Sequence, residues 1–346
     1  MIEHTVLKPS TETYYVISLI CILICATGIL YLANIKSTST AESKPVLQKT
    51  TLRRSKCSFV GFEIPKAWER TGLGNHLFYY SAVMYVSWLT GRRPCFRTTL
   101  RQTRLEKVFD VYIRHFDASM SKCPVVKFDM PGTGIYDRRV KFVVNVNKTK
   151  FLLLRGYFQS WKFAEPIASQ FRQKLKFRQK ITKFVANFLA RNVPPGWTTQ
   201  QFVRVGVHVR RGDFLSRMWT GMGTTTASER YLQRAMRYFV ERFPRVQFIV
   251  ASDDIPWCQK HVKLSVFNKT NVNITFSVRH KAGQDLALLA SCDHTVMTTG
   301  TFSWWAAWLA NGTTVYCANY PRRGSLLSSK IRRSDYYRPG WIGMYN

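Results

Sequence analysis

Arg210 and Arg211 stand together at the end of an apolar run, Phe202 to Phe214 (FVRVGVHVRRGDF), followed at once by Gly212 and Asp213. Two guanidinium forks side by side match phosphate oxygens bidentately, so a diphosphate-bearing ligand is their natural partner. A second segment has anion chemistry of another kind. Thr298-Thr299-Gly300-Thr301-Phe302 lies between an apolar strand-like run and a helix-like run. A glycine and a hydroxyl at a helix start combine unpaired N–H groups, the positive end of the dipole and a side-chain donor. The segment has neither the lysine of a P-loop nor GxGxxG spacing.

Elements must position these residues. Val203, Val205, Val207 and Val209 alternate with Arg204, Gly206 and His208, a β period. His208 therefore falls beside Arg210, either as a packed histidine or as part of the site. Further strands are expected at 246–251, 294–299 and 313–318, and helices at 228–242, near 255–263, at 283–291 and at 301–311. Ser228 is the expected N-cap of the first of these helices. Asp285 opens the helix at 283–291, as a dipole partner or as an acceptor for a nucleobase or ribose. Such alternation means a parallel sheet, and open parallel sheets bind ligands at the carboxyl ends of their strands. Upstream, Thr71-Gly-Leu-Gly-Asn75 opens a helix that Gly91 should stop. Strand-like runs follow at 94–96 and 151–158. Residues 166–189 carry helical periodicity, and Asn192-Val-Pro-Pro-Gly196 breaks the chain. Trp304, Trp305 and Trp308 are expected in the core.

Bulk properties bound the rest. Fifty-two Lys+Arg against 19 Asp+Glu give +33, which favours an anionic partner. The basic residues are scattered, with no zinc-finger spacing, RNP-like run or basic zipper, so nucleic acid is not the expected partner. Tyr14 to Ile35 is a 22-residue stretch without charge, long enough to span a bilayer as a retained signal anchor. The lysines and arginines after it argue for a cytosolic main domain. Four sequons, at Asn147, Asn268, Asn273 and Asn311, argue for a lumenal, glycosylated one. Six cysteines outside the span allow up to three disulfides. No Cys/His cluster has zinc spacing. There is no Asp-x-Asp, and Asp253-Asp254 is adjacent rather than spaced, so no metal site is expected.

VGVHVRRGDF (205–214) and DLALLASCDHTVMTTGTFSWWAAWLANGTTVYCANY (285–320) resemble the two main signatures of the alpha-1,2-fucosyltransferases, glycosyltransferase family 11. TGLGNHLFYYSA (71–82) is similar to that family's glycine-rich segment, with His76 and Leu77 in place of the usual Gln-Met. The resemblance covers roughly residues 70 to 320. It implies an α/β, GT-B-like fold of two Rossmann-type lobes behind one N-terminal transmembrane helix. The expected layout is a cytosolic tail (1–13), an anchor (14–35), a stem (36–56), an acceptor-side lobe (57–196) and a donor-binding lobe (197–346). It implies a single-pass type II Golgi membrane protein with a lumenal catalytic domain. The implied reaction is inverting transfer of L-fucose, without metal or other cofactor, from GDP-β-L-fucose to the 2-hydroxyl of galactose on a glycan. Carried over by position, Arg210 or Arg211 meets the GDP phosphates, and His208 and Asp213 shape that loop. Asp285 meets the guanosine, and Gly300 and Thr301 the phosphate. Asp213 is also the first candidate for the base, with Glu63 and Glu69 as alternatives. Protein O-fucosylation or core fucosylation, and an inactive lumenal glycan-binding protein on the same fold, are the competing expectations.

Overall fold

In a computed structural model of the chain, residues 56–64, 71–98, 103–198, 202–267, 270–278 and 280–346 are described. The expected cytosolic tail, the anchor at Tyr14 to Ile35 and nearly all of the stem lie outside them, as do Glu69 and Asn268. Among the described residues no helix is long and apolar enough to cross a membrane.

The described chain folds around two parallel sheets. The first contains β1 (Phe59–Glu63), β2 (Arg93–Arg97), β3 (Val125–Asp129) and β4 (Phe151–Arg155), in the order β2-β1-β4-β3. The second contains β5 (Val203–Val209), β6 (Val246–Ser252), β7 (Val272–Phe276), β8 (His294–Met297), β9 (Thr314–Cys317) and β10 (Ile342–Met344), in the order β10-β9-β8-β5-β6-β7. Every ladder in both sheets is parallel. The chain builds outward from β5 through β6 to β7. It then returns to the other side of β5 and builds outward again through β8 to β10. The strand order therefore reverses between β5 and β8.

The first long helix, α1 (Leu73–Thr90), starts at the glycine turn. It ends at Gly91, whose left-handed backbone (φ 67°) sends its N–H to the Ser87 carbonyl. The segment 166–189 is not one helix, which corrects the periodicity reading. It forms α2 (Ala168–Lys174) and α3 (Gln179–Arg191). Between them the backbone leaves the helix to pair with residues 108–110. Phe177 bridges Phe109, Asp110 N–H donates to the Lys176 carbonyl, and Arg178 N–H donates to the Val108 carbonyl. Side-chain periodicity survived the break, but the tertiary pairing claimed those peptide groups.

The second sheet is flanked by α4 (Glu229–Val240), α5 (Ile255–His261), α6 (Ala282–Ala290) and α7 (Gly300–Ala310). Ser228 caps α4, accepting from Tyr231 N–H. Trp304, Trp305 and Trp308 of α7 are fully buried, as expected. Phe78 of α1 packs on Trp304 and Trp305, at ring-centroid distances of 4.7 and 5.0 Å, so one apolar core joins α1 to α7. The C-terminal segment returns to the first sheet's connections. There the buried Asp335 accepts from Lys162 Nζ (2.6 Å) and Tyr136 N–H (3.0 Å). Of the six cysteines outside the apolar stretch, Cys57 and Cys123 form one disulfide. Cys95, Cys258, Cys292 and Cys317 are buried free thiols, so the three-bridge expectation is reduced to one. Cys95, Cys258 and Cys317 sit in β2, α5 and β9 and Cys292 in the bend after α6, where they pack as small apolar side chains.

Candidate functional site

The reversal of strand order is where open α/β sheets leave a crevice at their carboxyl edge. Here that edge carries both anion-suited segments. β5 ends in Arg210-Arg211-Gly212-Asp213. β8, its neighbour, pairs Met297 with His208 and leads into Thr299-Gly300-Thr301. The two loops are tied together, since Arg210 N–H donates to Thr298 Oγ1 (3.0 Å) and Thr298 N–H to the His208 carbonyl (3.3 Å).

α7 starts at Gly300, whose φ of 86° is left-handed and suits glycine. Thr299 is the N-cap but places no side chain on the first-turn N–H groups. The helix tip is approached from the first sheet's side. A Cβ on Gly74 of α1 would lie 2.5 Å from the Thr301 carbonyl carbon and 2.7 Å from Phe302 N. Gly74 therefore lets α1 touch the backbone of the α7 tip.

His208 is buried beside that tip. Ser303 Oγ donates to the Thr299 carbonyl (3.1 Å), so the 2.5 Å contact between His208 Nδ1 and Ser303 Oγ is a donation from the imidazole. Burial, and then the charge of Arg210, push the His208 pKa down to about 3. The ring is thus a neutral spacer that fixes the strand end to α7, and it packs on Phe302 (4.8 Å between centroids).

The arginines are not bare cations awaiting a diphosphate. Arg210 donates through Nη1 to Asp253 Oδ2 (2.7 Å) and through Nη2 to Asp213 Oδ1. Arg211 donates from its backbone N–H to Asp253 Oδ1 (2.9 Å) and from Nε to Asp254 Oδ2 (3.1 Å). Two arginines thus meet three carboxylates, a formal sum of minus one. The two guanidinium groups differ. Both terminal nitrogens of Arg210 are engaged. Arg211 lies over the Trp257 ring (3.9 Å to the centroid), and among the described residues its terminal nitrogens donate to no protein partner. Asp253, Asp254, Trp257 and Gly74 are the members of this cluster that sequence reasoning did not place. The signal for the acids was their position after β6, which needs the strand order to be read.

Asp285 sits in the first turn of α6. Ser277 Oγ, at the carboxyl end of β7, donates to its Oδ1 (2.5 Å) and lies 2.6 Å from His280 Nδ1. Burial raises the Asp285 pKa, against the opposing effects of Ser277 and His280. β7 is two strands from β5, about 10 Å by strand spacing, and Ser277 at its end holds Asp285 at the same sheet edge as the arginine loop. Glu63 is held apart, at the end of β1, 3.6 Å from Arg97 Nε.

The sequons differ in setting. Asn147 is exposed and its Oδ1 accepts from Thr149 N–H (2.9 Å). Asn273 is within β7. Asn311 is the left-handed C-cap of α7, and its Oδ1 accepts from Arg172 Nη2 (2.9 Å).

Two parallel α/β sheets carry, at the switch point of the second, the arginine loop beside the α7 tip. Residues 69–345 match the family model described as Glycosyl transferase family 11, and the chain belongs to that family. It is 33% identical to Galactoside 2-alpha-L-fucosyltransferase SEC1 of Bos taurus over 56% of this chain and 52% of that one. It is 28% identical to Galactoside alpha-(1,2)-fucosyltransferase 2 of Sus scrofa over 90% of this chain and 88% of that one. Against the first of these relatives the chain thus spans about half the length. A crystal structure of POFUT1 in complex with GDP aligns at 12% identity and a TM-score of 0.49, over 76% of this chain and 99% of that one.

Proposed function

We propose that this glycosyltransferase moves L-fucose from GDP-β-L-fucose to the 2-hydroxyl of galactose on a glycan, with inversion and without a metal. The observation that carries the reading is the pairing of the arginine loop with the α7 tip at the switch point, in a chain of glycosyltransferase family 11 whose named relatives are fucosyltransferases. The acceptor oxygen attacks C1 of fucose, the bond from C1 to the phosphate oxygen breaks, the hydroxyl proton passes to solvent water, and GDP departs carrying the negative charge. Arg211, with its free terminal nitrogens, meets the diphosphate. The N–H groups at Gly300 and Thr301 and the Thr301 hydroxyl share it. Asp285, one nucleoside length along the edge, takes the guanosine. Arg210 organises the loop from between Asp213 and Asp253, and His208 holds the strand end. We assign Asp213 to this organising role rather than to the base, because its carboxylate is already spent on Arg210.

A type II Golgi setting, with Tyr14 to Ile35 as anchor and the catalytic part in the lumen, goes with this reading. The Cys57–Cys123 bridge supports an oxidising compartment, and the exposed Asn147 supports glycosylation there. The test is incubation of the full chain with labelled GDP-fucose and a panel of glycans and Ser/Thr peptides, with and without EDTA. Label on terminal galactose, unchanged by EDTA, is expected. Label on peptide, or none with GDP still bound, would transfer the site to one of the competing activities.

A further inference from the structure

A groove away from the arginine loop has the composition of a sugar site. It lies between the end of α1 and the segment leading through α2, and is lined by Met84, Ser87, Trp88, Phe171, Gln170 and Lys174, with Ile167 behind them. Its volume is about 180 Å³, below the ~300–1,000 Å³ of sites that take drug-sized ligands. It therefore suits one ring rather than a whole oligosaccharide.

The floor is rigid. Phe171 is buried against Tyr80, Trp305 and Trp308, with centroids 5.5 to 6.0 Å away. The wall is an indole left in solvent, since Trp88 is 53% exposed. The other large aromatics of α1, Phe78, Tyr79, Tyr80 and Tyr85, are buried. Around this platform stand polar groups without work in the fold. Among the described residues the side chains of Trp88, Gln170 and Lys174 make no hydrogen bond or ion pair, and Ser87, whose Oγ donates to the Arg92 carbonyl (2.7 Å), still has acceptor capacity. The face of a pyranose, with its axial C–H groups, stacks on an indole, and its hydroxyls need donors and acceptors at the rim. No carboxylate lines the groove, and from Pro166 to Arg191 the chain has seven Lys/Arg and no Asp or Glu. The charge complement of Lys174, the one charged side chain of the lining, is an anion.

We propose that this groove is a binding subsite for a sugar ring bearing a carboxylate or a sulfate, the shared feature of acidic glycans. α1 runs from Gly74, at the α7 tip, to Trp88, fourteen residues further on, about 21 Å by helical rise. The subsite is therefore remote from the bond being made and anchors an extended or branched glycan. That identification of the occupant as part of an acceptor rests on the transfer reading; the binding itself does not.

The full chain in detergent is titrated by saturation-transfer NMR with a sialylated, a sulfated and a neutral galactose-containing oligosaccharide, at low and high salt. Thermal melting checks that each variant is folded. At least one acidic ligand should bind more tightly than the neutral one, and the identity of that ligand distinguishes carboxylate from sulfate. Trp88→Ala should weaken acidic-ligand binding by roughly fivefold or more, the effect of losing an interface anchor. Lys174→Gln should remove the acidic preference, a factor of about 2–5 that salt also suppresses. Transfer to a short neutral acceptor should be unchanged in both variants. Equal binding of neutral and acidic ligands, indifference to Trp88→Ala, or binding to anionic vesicles but to no soluble glycan would each overturn the proposal. Binding is read without turnover, so a chain that binds but does not transfer refutes only the transfer reading.

Discussion

Replacing Gly74 with alanine sets two effects of opposite sign against each other. Gly74 is the second residue of α1. An added Cβ there lowers the conformational entropy of the unfolded chain and favours helix by up to ~1 kcal/mol. Against this, the new carbon would sit 2.5 Å from the Thr301 carbonyl carbon, about 0.9 Å inside ordinary contact at 3.4 Å. The obstacles are three backbone atoms of another helix tip, not the flexible end of a side chain. Overpacking of this kind typically costs about 1–3 kcal/mol, so the clash outweighs the propensity. The helices must part by most of an ångström, and the part that moves is the N–H cradle at Gly300 and Thr301. Misplacement on that scale costs about a hundredfold in rate. Gly74→Ala should therefore lower the melting temperature by a few degrees while reducing kcat/KM for GDP-fucose by about two orders of magnitude. Gly72→Ala is the control. Its Cβ meets nothing within 4 Å and its φ of −63° is ordinary, so it should be near neutral. Calorimetry and donor-varied steady-state kinetics read both. A Gly74→Ala protein that melts higher and turns over normally would show that α1 does not set the position of the α7 tip.

The two arginines should separate in GDP calorimetry. Arg211→Lys loses the planar fork and the stack on Trp257, worth about 1.5–3 kcal/mol or roughly 10- to 150-fold in affinity, and Arg210→Lys should cost less; the reverse order would refute the division of roles. Acid should act through His208. Its folded pKa lies near 3, below the unfolded value of about 6.5, so its contribution is complete above pH 6.5 and is lost as pH falls from there towards 3. The urea-unfolding difference between wild type and His208→Gln should therefore narrow on acidification, at up to about 1.4 kcal/mol per pH unit; a constant difference would mean the ring is charged in the fold. Cys57 and Cys123 are 66 residues apart, and a loop of that length corresponds to about 4 kcal/mol of chain entropy. The double serine variant should lose about that much in denaturant unfolding, and an unchanged midpoint would show that the bridge does not form.

The distribution of what could be read from residues follows from which interactions decide each element. β5 was plain because its buried valines alternate with Arg204, Gly206 and His208. α4 was plain because its apolar stripe begins at a serine cap. β1 was not foreseen, although it lies inside the first sheet, because FVGFE is five residues flanked on both sides by its neighbours and shows no period. β7 and β10 are edge strands that owe their state to one partner each. The arginine loop was legible from residue type alone, but its electrostatics were not. Asp253 and Asp254 are more than forty residues from Arg210, and only the β5–β6 register, with Val209 opposite Ser252, brings them to it.

That register also explains why three carboxylates need not defeat an anion site. A Cβ on Gly212 would fall 2.3 Å from Asp253 Oδ2, so the glycine lets Asp253 press against the loop and accept from both Arg210 Nη1 and Arg211 N–H. The acids occupy Arg210 on its two terminal nitrogens and Arg211 only on Nε. Side-chain entropy is thus removed from both arginines before any ligand arrives, and among the described residues the terminal nitrogens of Arg211 keep no protein partner. In the proposed transfer reaction a diphosphate would gain a fixed guanidinium and the N–H groups of α7, against some repulsion from Asp254. The cluster holds its geometry at the switch point because the acids and the arginines neutralise one another there, not because that edge of the sheet is positively charged.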